Sequence, residues 1–133
     1  DGLSLIFSSF EPVDGGMRFE IWKSTVADGS RSLLHSETVT AEWAAYHAEC
    51  TWNPVYTPDG GRVLFTSLST GEPRIVSIAA DGSDLRELVA APSTFPALTP
   101  DGSRLAYVDL SDGLERLRVL TIATGKTTKP LYR

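Results

Sequence analysis

Thr57-Pro58-Asp59-Gly60 recurs as Thr99-Pro100-Asp101-Gly102, 42 residues further along the chain. The residues after each copy recur too. Gly61-Arg62-Val63-Leu64-Phe65-Thr66-Ser67 matches Ser103-Arg104-Leu105-Ala106-Tyr107-Val108-Asp109 in apolar pattern and in its arginine. Beyond them, Ile75-Val76-Ser77-Ile78-Ala79 matches Val119-Leu120-Thr121-Ile122-Ala123 after a two-residue slip that a loop absorbs. A third copy opens the chain. Asp1-Gly2 and Leu5-Ile6-Phe7-Ser8-Ser9 align with Asp59-Gly60 and Val63-Leu64-Phe65-Thr66-Ser67, and Ile21-Trp22 with Asp28-Gly29-Ser30 aligns with Ile75-Val76 and Asp81-Gly82-Ser83. A fixed period near 42 constrains the fold more than any single motif, because each unit must be one supersecondary element stacked on its neighbours.

Each unit reads as strands. Pro58 pre-sets φ at the first turn position, Asp59 suits the second, and Gly60 takes the left-handed conformation after them. That is hairpin chemistry with a glycine bulge. The strand that follows is apolar on both faces, Val63 and Phe65 on one and Leu64 on the other, so it is expected to be covered on both sides. Asp81-Gly82 supplies a second hairpin turn, and Leu85 and Leu88 suggest an outer strand. Gly and Pro punctuate the chain at strand-length intervals and helical periodicity is weak. Short sheets sandwiched between like neighbours at this period describe β-propeller blades.

The expected architecture is therefore all-β, a propeller fragment of about three four-stranded antiparallel blades at about 1–35, 53–89 and 94–131, with a long connection at 36–52. Strands are expected near 3–9, 18–25 and 30–35, then 53–57, 62–67, 73–79 and 84–89, then 94–99, 103–109, 115–122 and 126–131. The first copy lacks an innermost strand, since Asp1-Gly2 is already the turn that should follow one. More polypeptide is accordingly expected, as flanking sequence, a second copy giving six blades or a different partner, and the chain is not expected to close a ring alone. Its two end blades should expose apolar faces, with Leu5 and Phe7 at one end and Leu105 and Tyr107 at the other.

At these residues the chain resembles the TolB-type, WD-like propellers of bacteria. Their blade pattern is a Pro-Asp-Gly turn, an apolar strand ending in an aromatic and a small polar residue, an Ile-Trp/Tyr strand and an Asp-Gly turn. Here the elements are Pro58-Asp59-Gly60, Phe65-Thr66-Ser67 and Asp81-Gly82, then Pro100-Asp101-Gly102 and Tyr107, with Phe7-Ser8-Ser9 and Ile21-Trp22 in the first copy. The resemblance covers nearly everything except 36–52. It implies a periplasmic or secreted protein. Members serve as periplasmic partner-binding subunits, as propeller domains of prolyl-oligopeptidase-like peptidases and as oligogalacturonate-lyase-like enzymes, and a shared fold does not choose among these. Such rings usually close with six or seven blades, so the expected partner is a protein or further blades, in the same or another chain.

The connection holds Trp43, Tyr46, His47, Glu49, Cys50 and Trp52, an aromatic and titratable density unmatched elsewhere. Loops over a rigid scaffold often carry binding groups. Trp43, Tyr46, His47, Glu49 and Trp52 are thus the candidate ligand- or partner-binding residues. The competing reading is an insertion whose aromatics cover a blade edge. His47 and Cys50 have metal-ligand spacing, but a structural zinc needs four ligands and a catalytic one typically three. No metal or other cofactor is expected, and Cys50 reads as a small buried apolar residue. The Asp-Gly turns lack the alternating acidic residues of a calcium loop.

No catalytic residue is assigned. There is no Gly-x-Ser-x-Gly elbow and no phosphate-cradling glycine motif. A formal net charge of −5 with scattered basic residues argues against nucleic acid, whose binding rests on phosphate neutralisation. No apolar run approaches the roughly 20 residues of a membrane span. Arg74 and Arg116 occupy corresponding places before the third strand, where they either line a rim that attracts anions or are simply solvated. The expected function is a non-catalytic binding or scaffold module. The alternative is the propeller portion of a peptidase or of a lyase-like enzyme.

Overall fold

The computed structural model describes residues 2–42 and 53–131. Eleven strands among them form three antiparallel sheets. The first has three strands, β1 (Ser4–Val13), β2 (Gly16–Thr25) and β3 (Arg31–Thr40). The second has four, β4 (Val55–Tyr56), β5 (Arg62–Ser67), β6 (Arg74–Ala79) and β7 (Arg86–Glu87). The third also has four, β8 (Ser93–Leu98), β9 (Arg104–Asp109), β10 (Arg116–Thr121) and β11 (Lys126–Thr127). In each sheet the strands lie in chain order, the up-and-down order of a propeller blade.

The turn chemistry is repeated residue for residue. Gly60 N–H donates to the Thr57 carbonyl at 2.8 Å, and Gly102 N–H to that of Thr99 at 2.8 Å. Both glycines have φ near +70°. Gly102 is further constrained, because a Cβ there would lie 2.8 Å from Pro58 Cδ. Each turn aspartate accepts from the threonine two residues before it (Thr57 to Asp59 and Thr99 to Asp101, both 2.6 Å) and from the backbone two residues after it. Asp81 accepts from Ser83, and Asp28 from Ser30, in the same way. These aspartates are turn formers.

The core lies between sheets. Val63, Phe65, Val76 and Ile78 pack against Ile21 and Leu34 of the first sheet. Leu64 and Ile75 face the other way, onto Leu105, Tyr107 and Leu120 of the third. The second sheet is thus covered on both faces, as the apolar run of β5 requires. Fully burying a side chain of this size contributes about 1.5–3 kcal/mol, and β5 buries Val63, Leu64 and Phe65 in succession.

Two expectations are corrected. Leu105 and Tyr107 do not form an open end face: they are 0% and 3% exposed, in the interface with the second sheet. Side chains alternate along a strand, so the face that β9 turns away from the core carries Ala106 and Val108, opposite Val119 and Leu117. The first sheet is also longer than expected. Strands expected over 3–9 and 30–35 run on to Val13 and Thr40, joined through a tight turn at Asp14-Gly15. Residues 36–40, assigned above to the connection, therefore belong to β3. They continue because Glu37 and Val39 turn inward while Ser36, Thr38 and Thr40 stay exposed.

Candidate functional site

The short turns around Gly60, Gly102, Gly29 and Gly82 gather at one end of the sheets. The other end carries the longer loops 68–73 and 110–115 and the extra length of the first sheet. There β1, β2 and β3 project as a three-stranded arm beyond the six-residue β5 and β6. The 41–54 connection leaves from the end of β3. Trp43, Tyr46, His47, Glu49 and Trp52, and Cys50 with them, lie outside the described residues.

The arm is fixed by one carboxylate. Glu37, whose side chain is only 8% exposed, accepts from Ser67 Oγ at 2.7 Å and from the Leu68 backbone N–H at 2.6 Å. His35 Nε2 lies 2.9 Å from the same carboxylate and donates to it, since an ionised carboxylate only accepts. The His35 ring also packs against Phe65, with centroids 5.0 Å apart. Phe19 and Val39 close over Leu68 beside this network. Between the two sheets remains a cavity of about 10 Å³, lined by His35, Glu37, Phe65 and Leu68 among others. That is room for one water at most.

A serine, a histidine and a carboxylate meet here, which sequence reasoning missed. They are not a hydrolytic triad. In a triad the serine hydroxyl donates to histidine and the acid orients the ring, whereas Ser67 donates directly to Glu37 and is 2% exposed. The arrangement can hold strands together; it offers no reachable nucleophile. No local pattern could have announced it, because Glu37 and Ser67 stand 30 residues apart.

The outward face of the arm is polar. Arg18 pairs with Glu11 and, through Nε at 3.4 Å, with Glu20, and Glu20 also receives the Trp22 indole N–H at 3.0 Å. Lower on the same sheet face the residues turn apolar. Phe7 opposes Trp22, Trp22 opposes Leu33, and Leu5 is 62% exposed. Arg31 lies over the Phe7 ring at 5.8 Å. Arg74 and Arg116 are not free rim cations: they pair with Glu72 at 3.1 Å and Asp112 at 2.6 Å. Asp109 couples the third sheet to its loop. Its partial burial is outweighed by hydrogen bonds from Ser111 and Arg118, which hold its carboxyl below the usual range. Among the described residues no cluster of three or more His, Cys, Asp or Glu could hold a metal, and no helix is long and apolar enough to cross a membrane.

Unlike-faced antiparallel sheets, stacked face to face and linked by paired glycine turns, define a section of a β-propeller. Its fold is that seen in TolB-type propellers. No family model matches the chain, and no curated protein does. Among solved structures it is similar to a TolB protein from Agrobacterium tumefaciens, at 22% identity and a TM-score of 0.74, over 99% of this chain and 46% of that one. TolB from Acinetobacter baumannii is similar at 22% identity and a TM-score of 0.75, over 98% of this chain and 30% of that one. The β-propeller domain of the trilobed protease from Pyrococcus furiosus is similar at 12% identity and a TM-score of 0.68, over 100% and 40%. At these identities the likeness is one of fold. The chain spans less than half the length of each.

Proposed function

We propose that the chain is a non-catalytic binding and scaffold section of a larger propeller, in a periplasmic or secreted protein. It would take a protein or small ligand at the end bearing the arm and the 41–54 connection, through Trp43, Tyr46, His47, Glu49 and Trp52. One observation carries this reading: at that end the ten-residue strands of the first sheet run beyond the six-residue β5 and β6, and a buried carboxylate anchors the extension. Propellers bind with loops on a rigid base, and this base is rigidified where those aromatics begin.

Replacing Trp43, His47 and Trp52 together by alanine tests it. Binding should be abolished while the far-UV circular dichroism stays that of the parent. Unchanged binding removes the site from this connection, and loss of folding makes it core.

Further blades complete the reading. The Leu5, Phe7, Trp22 and Leu33 face is the counterpart of the Val63 and Phe65 face, which a neighbouring sheet covers. We infer a blade of the same kind over it, from the same or another chain. Sedimentation equilibrium on residues 1–133 should show association, and a well-folded monomer at all concentrations overturns this part. A second reading, the propeller portion of a peptidase, draws on the likeness to the trilobed protease propeller. A nucleophile elbow in flanking sequence would favour it.

A further inference from the structure

The three copies permit a comparison position by position. In the second sheet Arg62 is neutralised within its own blade. Its Nη1 donates to Asp84 Oδ2 at 2.9 Å and its Nε to Ser77 Oγ at 3.1 Å. The equivalent positions of the first sheet follow from the pairings. Ile6 faces Lys23 as Leu64 faces Ser77, so Lys23 stands where Ser77 does and Ser4 where Arg62 does. Asp28-Gly29-Ser30-Arg31 replaces Asp81-Gly82-Ser83-Asp84, so an arginine stands in place of the neutralising aspartate. The cation has moved strands and its carboxylate is gone. Among the described residues Lys23 has no ion-pair partner, although it is partly buried. Arg31 lies over Phe7 instead.

Lys23 lines a groove of about 490 Å³ between the first two sheets, at the short-turn end. Ser4, Tyr56, Thr57, Asp59 and Gly60 line it too. The Ser4 and Tyr56 hydroxyls are 2.9 Å apart. One donates to the other, which leaves the acceptor's own proton free for a third group. The volume suits a small molecule or a chain end.

We propose that this groove binds a small ligand through a single carboxylate, with Lys23 as counter-charge and the Ser4–Tyr56 pair as hydroxyl donor. Asp59 sets the specificity. Its carboxylate is held by Thr57 and the Gly61 N–H, and it stays ionised because those bonds lower its pKa. A fixed negative charge lining the groove opposes a second negative charge on the ligand, so a dianion is disfavoured against a monocarboxylate. Peptide C-termini and free small acids share this chemistry. The site is separate from the one at the opposite end of the sheets.

The test is a ¹H–¹⁵N titration of residues 1–133 with N-acetyl-alanyl-alanine, its C-terminal amide, acetate and inorganic phosphate. The acid should give saturable shifts at Ser4, Lys23, Tyr56 and Gly60, with the amide and phosphate at least about tenfold weaker. Acetate binding as well as the dipeptide identifies a site for free small acids, and weaker acetate binding a site for chain ends. Lys23→Gln should abolish the shifts and Lys23→Arg retain them. Tyr56→Phe, which keeps the aromatic packing, should weaken binding several-fold and guards against misfolding of the lysine variant. Equal responses to acid and amide, tighter binding of phosphate, no saturable response, or full binding by Lys23→Gln overturns the proposal.

Discussion

Glu37→Ala isolates the interaction that holds the arm to the second sheet. Three donors converge on that carboxylate, from Ser67 Oγ at 2.7 Å, Leu68 N–H at 2.6 Å and His35 Nε2 at 2.9 Å. A hydrogen bond to a charged group contributes about 1.5–3 kcal/mol, and a buried donor left without an acceptor costs about 1–3 kcal/mol. Ser67 and Leu68 are each 2% exposed, so water cannot readily replace the carboxylate. His35 is less enclosed and recovers part of its loss. Truncation should therefore cost about 3–5 kcal/mol, the range for removing one partner from a buried charged network. For a domain of this size that lowers Tm by roughly 10–20 °C. Urea titration followed by tryptophan fluorescence measures it, with an unchanged m-value showing that the unfolded reference is the same. Glu37→Gln keeps one acceptor oxygen but points an amide donor at the other donors, and should recover about half. A loss below about 1 kcal/mol in Glu37→Ala would refute the assignment of Glu37 as the anchor.

Acid should weaken the fold through its turns. Asp101 is held down to about 2, first by the Thr99 hydroxyl and then by the Ser103 N–H and hydroxyl, and Asp59 is lowered by Thr57 and Gly61. Depressed carboxylates stabilise fully above the unfolded value of 3.8 and lose that contribution as pH falls through the folded value. Thermal melts should thus be level from pH 7 to about pH 5 and decline towards pH 2, and Asp101→Asn should flatten that decline. Gly16→Ala should loosen the arm selectively, because a Cβ there would overlap the Val39 carbonyl oxygen. Amide exchange at residues 36–40 should accelerate several-fold while β5 and β6 keep their protection, and uniform protection would count against it.

The fold was legible because the repeat is written in turn residues whose chemistry is local. Thr57, Pro58, Asp59 and Gly60 satisfy one another within four residues, so the motif states its own conformation. β5 was legible for a similar reason, since three successive apolar residues admit only a doubly covered strand. The arm was not. Ser36-Glu37-Thr38-Val39-Thr40 looks like a polar connection until Ser67 and Leu68 are known to wait for Glu37. A buried carboxylate is identified by its donors, and these come from another sheet. Lys23 was illegible for the converse reason. Its significance is the absence of a partner that its sister blade has, which requires the register to be known.

The end faces show what the repeat implied once its phase is followed. Val63, Leu105 and Leu5 are one position in three copies, as are Phe65, Tyr107 and Phe7. Equivalent positions in stacked copies must point the same way, so only one of the three sets can lie on an open end. Val63 and Phe65 face the first sheet, and Leu105 and Tyr107 face the second. Leu5 and Phe7 therefore face outward, and at the far end the alternate residues Ala106, Val108, Leu117 and Val119 do. The two ends are unlike: one carries bulky aromatics, the other short aliphatics. In the internal interfaces it is these two kinds of face that meet, Val63 and Phe65 against Ile21 and Leu34, then Leu105 and Tyr107 against Leu64 and Ile75. Stacking in this fold is consequently directional. A blade added before β1 must present the aliphatic kind of face and one added after β11 the aromatic kind, a polarity that permits head-to-tail growth and disfavours pairing of like ends.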